Sequence, residues 1–229
     1  MFYALLDDKK IEPAPQQKAK CPCCGKDVIS RCGELNIWHW AHIVDVNCDK
    51  WYEPETEWHR NWKKIFGKES SEVIFNRDNL KHIADIFTND NIVIELQNSP
   101  INVDTIRARE SFYGEKMIWV INAQPFSQNL VITKKDPRRM ITYPSNPAFS
   151  NEFNLYIKQF QEDIEKYKQD ERIKYFSWNY PRKSWKVAQK PTFIDYSEDN
   201  LFFVKVGLGT RYGYGLDIPK KTFISKYKR

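Results

Sequence analysis

The sequence predicts an α/β protein: a mixed sheet flanked by helices, preceded by a Cys/His module and followed by a C-terminal helix with a small β-rich appendage. Three observations carry this prediction. All five cysteines fall within the first 48 residues. From Pro54 to residue 123 helical periodicity alternates with short β-branched runs. Beyond residue 150 a charged helical stretch gives way to aromatic strands. The expected units are a zinc-binding module at 1–53, a core at 54–150 and the helix and appendage at 151–229.

With 229 residues, 41% of them hydrophobic and 15% aromatic, the chain can bury a substantial core, and with only 8 Gly it is neither disordered nor collagen-like. No apolar run approaches the roughly 18 residues of a membrane span. Asp7, Asp8, Lys9 and Lys10 interrupt any signal-type run, so a cytoplasmic, non-membrane protein is expected. The net charge of +6 is unevenly placed: residues 174–229 hold 12 basic and 4 acidic residues, while residues 1–173 hold 24 basic and 26 acidic. Any footprint for a polyanion therefore leans on the C-terminal quarter.

Residues 1–20 read as a lead-in strand and a Pro-containing loop. After the Cys/His region, Trp58, Trp62, Ile65 and Phe66 recur at helical spacing, with Arg60, Lys63 and Lys64 opposite and Gly67 as the stop. Strands follow at 72–76, 80–87 and 92–97, the last two joined by the polar run TNDN as a hairpin. A helix over about 102–115 ends near Gly114, and the apolar run MIWVINA at 117–123 suits a strand buried on both faces. A short strand is expected at 129–133. A charged helix is expected over 152–173, with Phe153, Ile157, Phe160 and Ile164 as its stripe. PTFIDY and NLFFVKVG, with the Gly-rich stretch 207–215, form the appendage.

Clustered cysteines in such a chain read as a metal site, not disulfides. Cys21 and Cys24 form a C-x-x-C knuckle, and WHWAH supplies His39 and His42. Two thiolates and two imidazoles satisfy tetrahedral Zn²⁺ and leave no open position, which makes the site structural. Cys21, Cys24, His39 and His42 are the first choice, Cys48 in place of His39 is the main competitor, and Cys23 and Cys32 are further candidates.

The hairpin carries the second signal. A turn about Asp90 sets Asp85 opposite Glu95 on one face, with Gln97 two residues along on that face. Two carboxylates so close are unfavourable unless one is protonated or a cation joins them, the alternative being a surface hairpin with two incidental acids. Mg²⁺ or Mn²⁺, bound by one or two carboxylates and completed by water and phosphate oxygens, is the arrangement that hydrolyses phosphodiesters.

CPCCG at 21–25, RCGELNIWHWAH at 31–42, ETEWHRNWK at 55–63, HIADI at 82–86, VIELQNSPI at 93–101, and RESFYG with IWVIN at 109–122 occur in an order that resembles the competence protein CoiA-like family. The resemblance covers about the first 123 residues. It implies a PD-(D/E)XK restriction-endonuclease-like core and a metal-dependent DNA nuclease acting in uptake, recombination or repair. By resemblance, Glu57 takes the helix role and Asp85 and Glu95 hold the ion. Gln97 then stands where Lys is usual and could only orient water, since glutamine cannot deprotonate it. Arg109 and Tyr113 share a helix face where a nuclease of this family would hold phosphate, the alternatives being an ion pair for Arg109 and a core aromatic for Tyr113; His59 and Lys63, at i and i+4 on the helix of Glu57, face either DNA or solvent. Trp178, Tyr180, Arg182, Lys183, Trp185 and Lys186 interleave aromatics with cations, a composition that suits either single-stranded DNA or a buried aromatic hairpin. The competing reading is an inactive nuclease-like module that binds nucleic acid or a recombination or competence protein.

Overall fold

The structure is a computed structural model, and it describes residues 1–34, 37–44, 48–51, 54–135 and 170–228. The charged helix expected over 152–173, with Phe153, Ile157, Phe160 and Ile164, lies outside the described residues except at its end, where Ile173 begins a strand.

Five short strands, β1 (Ala4–Leu6), β2 (Lys9–Ile11), β3 (Lys18–Lys20), β4 (Asp27–Arg31) and β5 (His39–His42), form an antiparallel sheet in the order β2-β1-β3-β4-β5. Ala4, Ala19, Val28 and Trp40 are buried in one small core with Cys21 and Cys23. Strands this short bury little apolar surface, so the core of this module is small.

The second sheet has nine strands. Along the chain these are β6 (Ser71–Arg77), β7 (Leu80–Phe87), β8 (Val93–Gln97), β9 (Met117–Asn122), β10 (Leu130–Thr133), β11 (Ile173–Trp178), β12 (Thr192–Asp195), β13 (Asn200–Val206) and β14 (Tyr212–Pro219). Their spatial order is β10-β11-β14-β13-β12-β9-β8-β7-β6. The C-terminal strands are therefore no appendage, and a division at residue 150 would cut this sheet. Every residue of β9 is buried, so it needs a partner on each edge: β8 pairs with it in parallel on one side and β12 on the other.

Helices cover both faces. Helix α1 (Glu57–Phe66) and the last helix, α3 (Lys220–Tyr227), pack Trp62, Phe66, Phe223 and Tyr227 over Ile94, Leu96, Ile118 and Val120. Helix α2 (Val103–Tyr113) covers the opposite face with Ile106, Phe112 and Tyr113 against Val93, Trp119 and Ile121. Thr56 caps α1 in a reciprocal box with His59, and Asn102 caps α2 by accepting from the Thr105 N–H. No helix among the described residues is long and apolar enough to cross a membrane.

The β7–β8 register is the expected one, with Ile86 opposite Ile94 and Phe87 opposite Val93. The ladder then opens: Asp85 Oδ2 accepts the Leu96 N–H at 2.9 Å, so a side chain takes the place of a backbone partner. On the other side of β7, the β6 register passes from Ser71–Ile86 to Val73–Ala84 across Glu72, whose φ is 51°. That left-handed conformation is unfavourable for glutamate. It turns the Glu72 carboxylate toward the N-terminal segment, where it accepts the N–H groups of Phe2 and Tyr3 at 2.7 and 2.8 Å.

Candidate functional site

The first candidate centre is a cluster of four ligand atoms from Cys21, Cys24, His42 and Cys48, all within 4.8 Å of one another. The knuckle is built by backbone bonds: the Cys21 N–H donates to Lys26 O at 2.8 Å, and the Gly25 N–H, on a residue with φ 71°, donates to Cys21 O at 2.9 Å. His42 comes from β5, with its Nε2 3.2 Å from Cys24 Sγ, and Cys48 Sγ lies 3.6 Å from Cys21 Sγ. Burial and the neighbouring Cys21 hold the Cys48 thiol above its ordinary range. Three thiols and one imidazole at this spacing can hold a metal ion and suit structural, tetrahedral Zn²⁺. His39 is corrected as a ligand. It lies outside the group, because alternation along β5 turns it away from His42's position, and its Nδ1 sits 2.8 Å from Ile37 O. Cys48 takes that place, and Cys23 and Cys32 also lie outside the group.

The second centre is a pocket at the opening between β7 and β8. Asp49, Glu55, Glu72, Asp85 and Glu95 line it together with His59, Lys63 and Arg109. Lys63 is 2% exposed, and its Nζ reaches Glu55 at 3.1 Å, Glu72 at 3.0 Å and Asp85 at 3.3 Å. Burial alone would lower its pKa, but the three acids outweigh that and raise it. Burial would likewise raise Glu72, yet the Lys63 charge and the Phe2 and Tyr3 N–H groups bring it down to about 2. Glu95 is the opposite case: burial pushes it up to about 8, against the pull of Arg109 and with the help of Asp85 and Asp49. Arg109 donates to Glu95 Oε2 at 2.9 Å, while Glu95 Oε1, buried, has no hydrogen-bond partner among the described residues.

Of the residues expected here, Asp85 and Glu95 share the pocket. Glu57 does not: it is exposed in the first turn of α1, and the carboxylate that enters is Glu55, which precedes the Thr56 cap. The helix periodicity that puts Trp58 and Trp62 over the sheet turns Glu57 outward. Gln97 is buried, but its amide donates to Ser99 O at 3.0 Å and it does not line the pocket. Arg109 serves Glu95 and, through Nη2, the Trp51 carbonyl at 2.7 Å, so its guanidinium is held by protein groups. Tyr113 packs in the core against Phe75 and Phe112, and burial holds its phenol above the ordinary range. His59 lines the pocket with its ring bound to Thr56 and to Leu96 O, which fixes the start of α1 on β8. Lys63 faces inward and not toward solvent.

The interleaved C-terminal residues separate by burial. Trp178 and Trp185 are core residues, whereas Tyr180 is 88% exposed and Lys183 and Lys186 are exposed. Arg182 donates to Ser99 O at 3.2 Å and lies over the Phe126 ring. None of Arg182, Lys183 and Lys186 lines the carboxylate pocket.

Asp49 and Trp51 are pocket residues that sequence reasoning missed. Asp49 accepts the Ile83 N–H at 2.8 Å and pairs with His82 at 2.9 Å, and the Trp51 ring stacks on His82. The one available signal was adjacency, since Asp49 directly follows the Cys48 ligand.

Residues 5–50 match the family model of the competence protein CoiA, N-terminal domain. The matched stretch contains the four clustered ligands and ends one residue after Asp49. No curated protein and no solved structure matches the chain.

Proposed function

We propose that the protein is a metal-dependent nuclease that hydrolyses phosphodiester bonds in DNA, in the manner expected of a CoiA-like protein in DNA uptake, recombination or repair. The observation that carries this reading is Glu95 Oε1, a buried carboxylate oxygen without a hydrogen-bond partner among the described residues, in the pocket that Asp85 also lines. An atom of that kind fits a cation ligand, because leaving it unsatisfied costs free energy. Mg²⁺ or Mn²⁺ held by Asp85 and Glu95 would supply charge stabilisation at the phosphate and a more acidic bound water.

The chain's own groups set up the site. Arg109 fixes the orientation of Glu95, and the Leu96 N–H fixes that of Asp85. Glu55 stands as the third carboxylate on the α1 side. Asp49 and Trp51 tie the metal-binding module to the pocket wall through His82, Ile83 and Arg109. Tyr180 and the exposed Lys183 and Lys186 offer stacking and phosphate contacts to single-stranded DNA, with affinity that falls as salt rises.

One observation favours the second reading, a nucleic-acid-binding module without catalysis: Gln97 replaces the usual strand Lys and is bound to Ser99. Cleavage of plasmid and single-stranded DNA with Mg²⁺ or Mn²⁺ separates the two. The nuclease reading expects cleavage that disappears in Asp85→Ala and Glu95→Ala proteins that retain native circular dichroism. DNA binding without cleavage under any divalent ion supports the binding module.

A further inference from the structure

Lys63 is an unusual resident for the pocket proposed to hold a divalent ion. Its ammonium lies within 3.3 Å of three carboxylates from three parts of the chain: Glu55 before α1, Glu72 at the β6 irregularity and Asp85 at the β7 opening. Its side chain is 3% exposed, so water contributes little to its solvation. The neighbouring Glu95 still presents the buried oxygen Oε1 to the same pocket. Five carboxylates line the pocket, more than Lys63, Arg109 and the Met1 ammonium together neutralise, and Asp85 is the acid that both Lys63 and a divalent ion shared with Glu95 would use. Two cations sharing one carboxylate repel, and burial strengthens that repulsion.

We propose that Lys63 is a resident counter-ion that competes with a divalent metal for Asp85 and so sets the metal affinity of the pocket. This rests on the divalent-ion part of the proposed function and deepens it. Lys63 is a positioning residue: it holds Glu55 and Asp85 together before metal arrives and weakens the site once metal is present. An exclusively structural lysine has no such effect, since its removal would loosen the carboxylates and weaken metal binding.

The test is Mn²⁺ titration of the zinc-loaded full chain, followed by electron paramagnetic resonance. Lys63→Met is expected to bind Mn²⁺ about tenfold more tightly than wild type or better, on the scale of a charge contact a few ångströms away. Lys63→Arg, which keeps the charge, stays near wild type. Asp85→Asn in the Lys63→Met background abolishes the gain. If Lys63→Met fails to fold, Lys63→Met/Glu72→Gln removes the ammonium with its most buried partner and is expected to bind Mn²⁺ more tightly than wild type. Mn²⁺ binding that appears only on removal of Lys63 also supports the proposal. A folded variant that binds no more tightly than wild type, or no Mn²⁺ binding in any variant, overturns it. The cleavage assay reports separately on the nuclease reading, because an inactive chain can still show the gain and an active one can lack it.

Discussion

Arg109 holds Glu95 by one oxygen only: Nη1 donates to Oε2 at 2.9 Å, and Oε1 is left toward the pocket. The second guanidinium nitrogen is spent on the Trp51 carbonyl, so a single side chain spans α2, β8 and the segment that follows Cys48. The geometry favours an oriented carboxylate over a fully neutralised one. A bidentate pair would have closed the site.

Arg109→Leu leaves a buried acid without its counter-charge. The expected loss is about 3–5 kcal/mol where Glu95 is ionised, and less at pH 5, where a neutral acid needs no cation. Urea unfolding at pH 5 and pH 9 measures both. Restoration of part of the loss in Glu95→Gln/Arg109→Leu identifies the stranded charge as its cause, and an unimproved double variant removes that explanation.

The Cys/His module gives a sharper test, because the competing ligand sets differ by one residue. Cys48→Ser and His42→Ala are expected to lose bound zinc, while His39→Ala keeps one ion per chain. Metal content by mass spectrometry of the native protein decides. Loss of zinc in His39→Ala would restore the two-histidine set. The Cys48→Ser protein should also show faster amide exchange at Ile83, whose N–H is held by the residue after Cys48.

How much of this was legible in the sequence follows from the range of the interactions. The hairpin register, the caps and the doubly buried β9 are local, set by period-2 alternation and by residues a few positions apart. The Asp85 and Glu95 placement came with them. Lys63 defeated the helix pattern, because a face bearing Arg60, Lys63 and Lys64 reads as solvated until Glu72 and Asp85 are brought to it. Glu55 was displaced by Glu57 for a similar reason: only the position of the Thr56 cap decides which acid stays outside the helix. The parallel pairing of β12 with β9 joins segments about seventy residues apart, and no spacing in the sequence announces it. The family match stops at residue 50, so it reaches Asp49 of the pocket, while Glu55, Glu72, Asp85 and Glu95 lie outside it.

Asp195, at the end of β12, shows what that long-range pairing accomplishes. Its Oδ2 accepts both the Trp58 and the Trp62 indole N–H, at 2.8 and 2.9 Å, and its Oδ1 pairs with Lys220 of α3 at 2.7 Å. One carboxylate thus fastens α1 and α3 to the C-terminal end of the parallel strands. Asp195→Ala strands a lysine and two indoles and is expected to cost about 3 kcal/mol or more. Tryptophan emission should shift to the red as Trp58 and Trp62 loosen. An unchanged spectrum and unfolding midpoint would show that packing alone holds α1.

Glu72 and Glu95 make opposite demands on pH. The folded pKa of Glu72, about 2, lies below its unfolded 4.5, so its contribution is present above pH 4.5 and is lost as pH falls toward 2. That contribution is on the order of 3 kcal/mol. The folded pKa of Glu95, about 8, lies above the same 4.5, so its contribution is complete below pH 4.5 and is lost as pH rises through 8. Without added Mg²⁺, these two groups together place the stability maximum of the zinc-loaded protein near pH 4.5, where their windows meet, with losses toward pH 2 and toward pH 8. Glu72→Gln should flatten the acid limb and Glu95→Gln the alkaline limb, each leaving the other in place. Added Mn²⁺ should also flatten the alkaline limb, because an ion at Glu95 replaces the proton whose loss destabilises the fold. Thermal unfolding from pH 3 to pH 9 measures all three, and an alkaline limb that survives Glu95→Gln would show that another group titrates there.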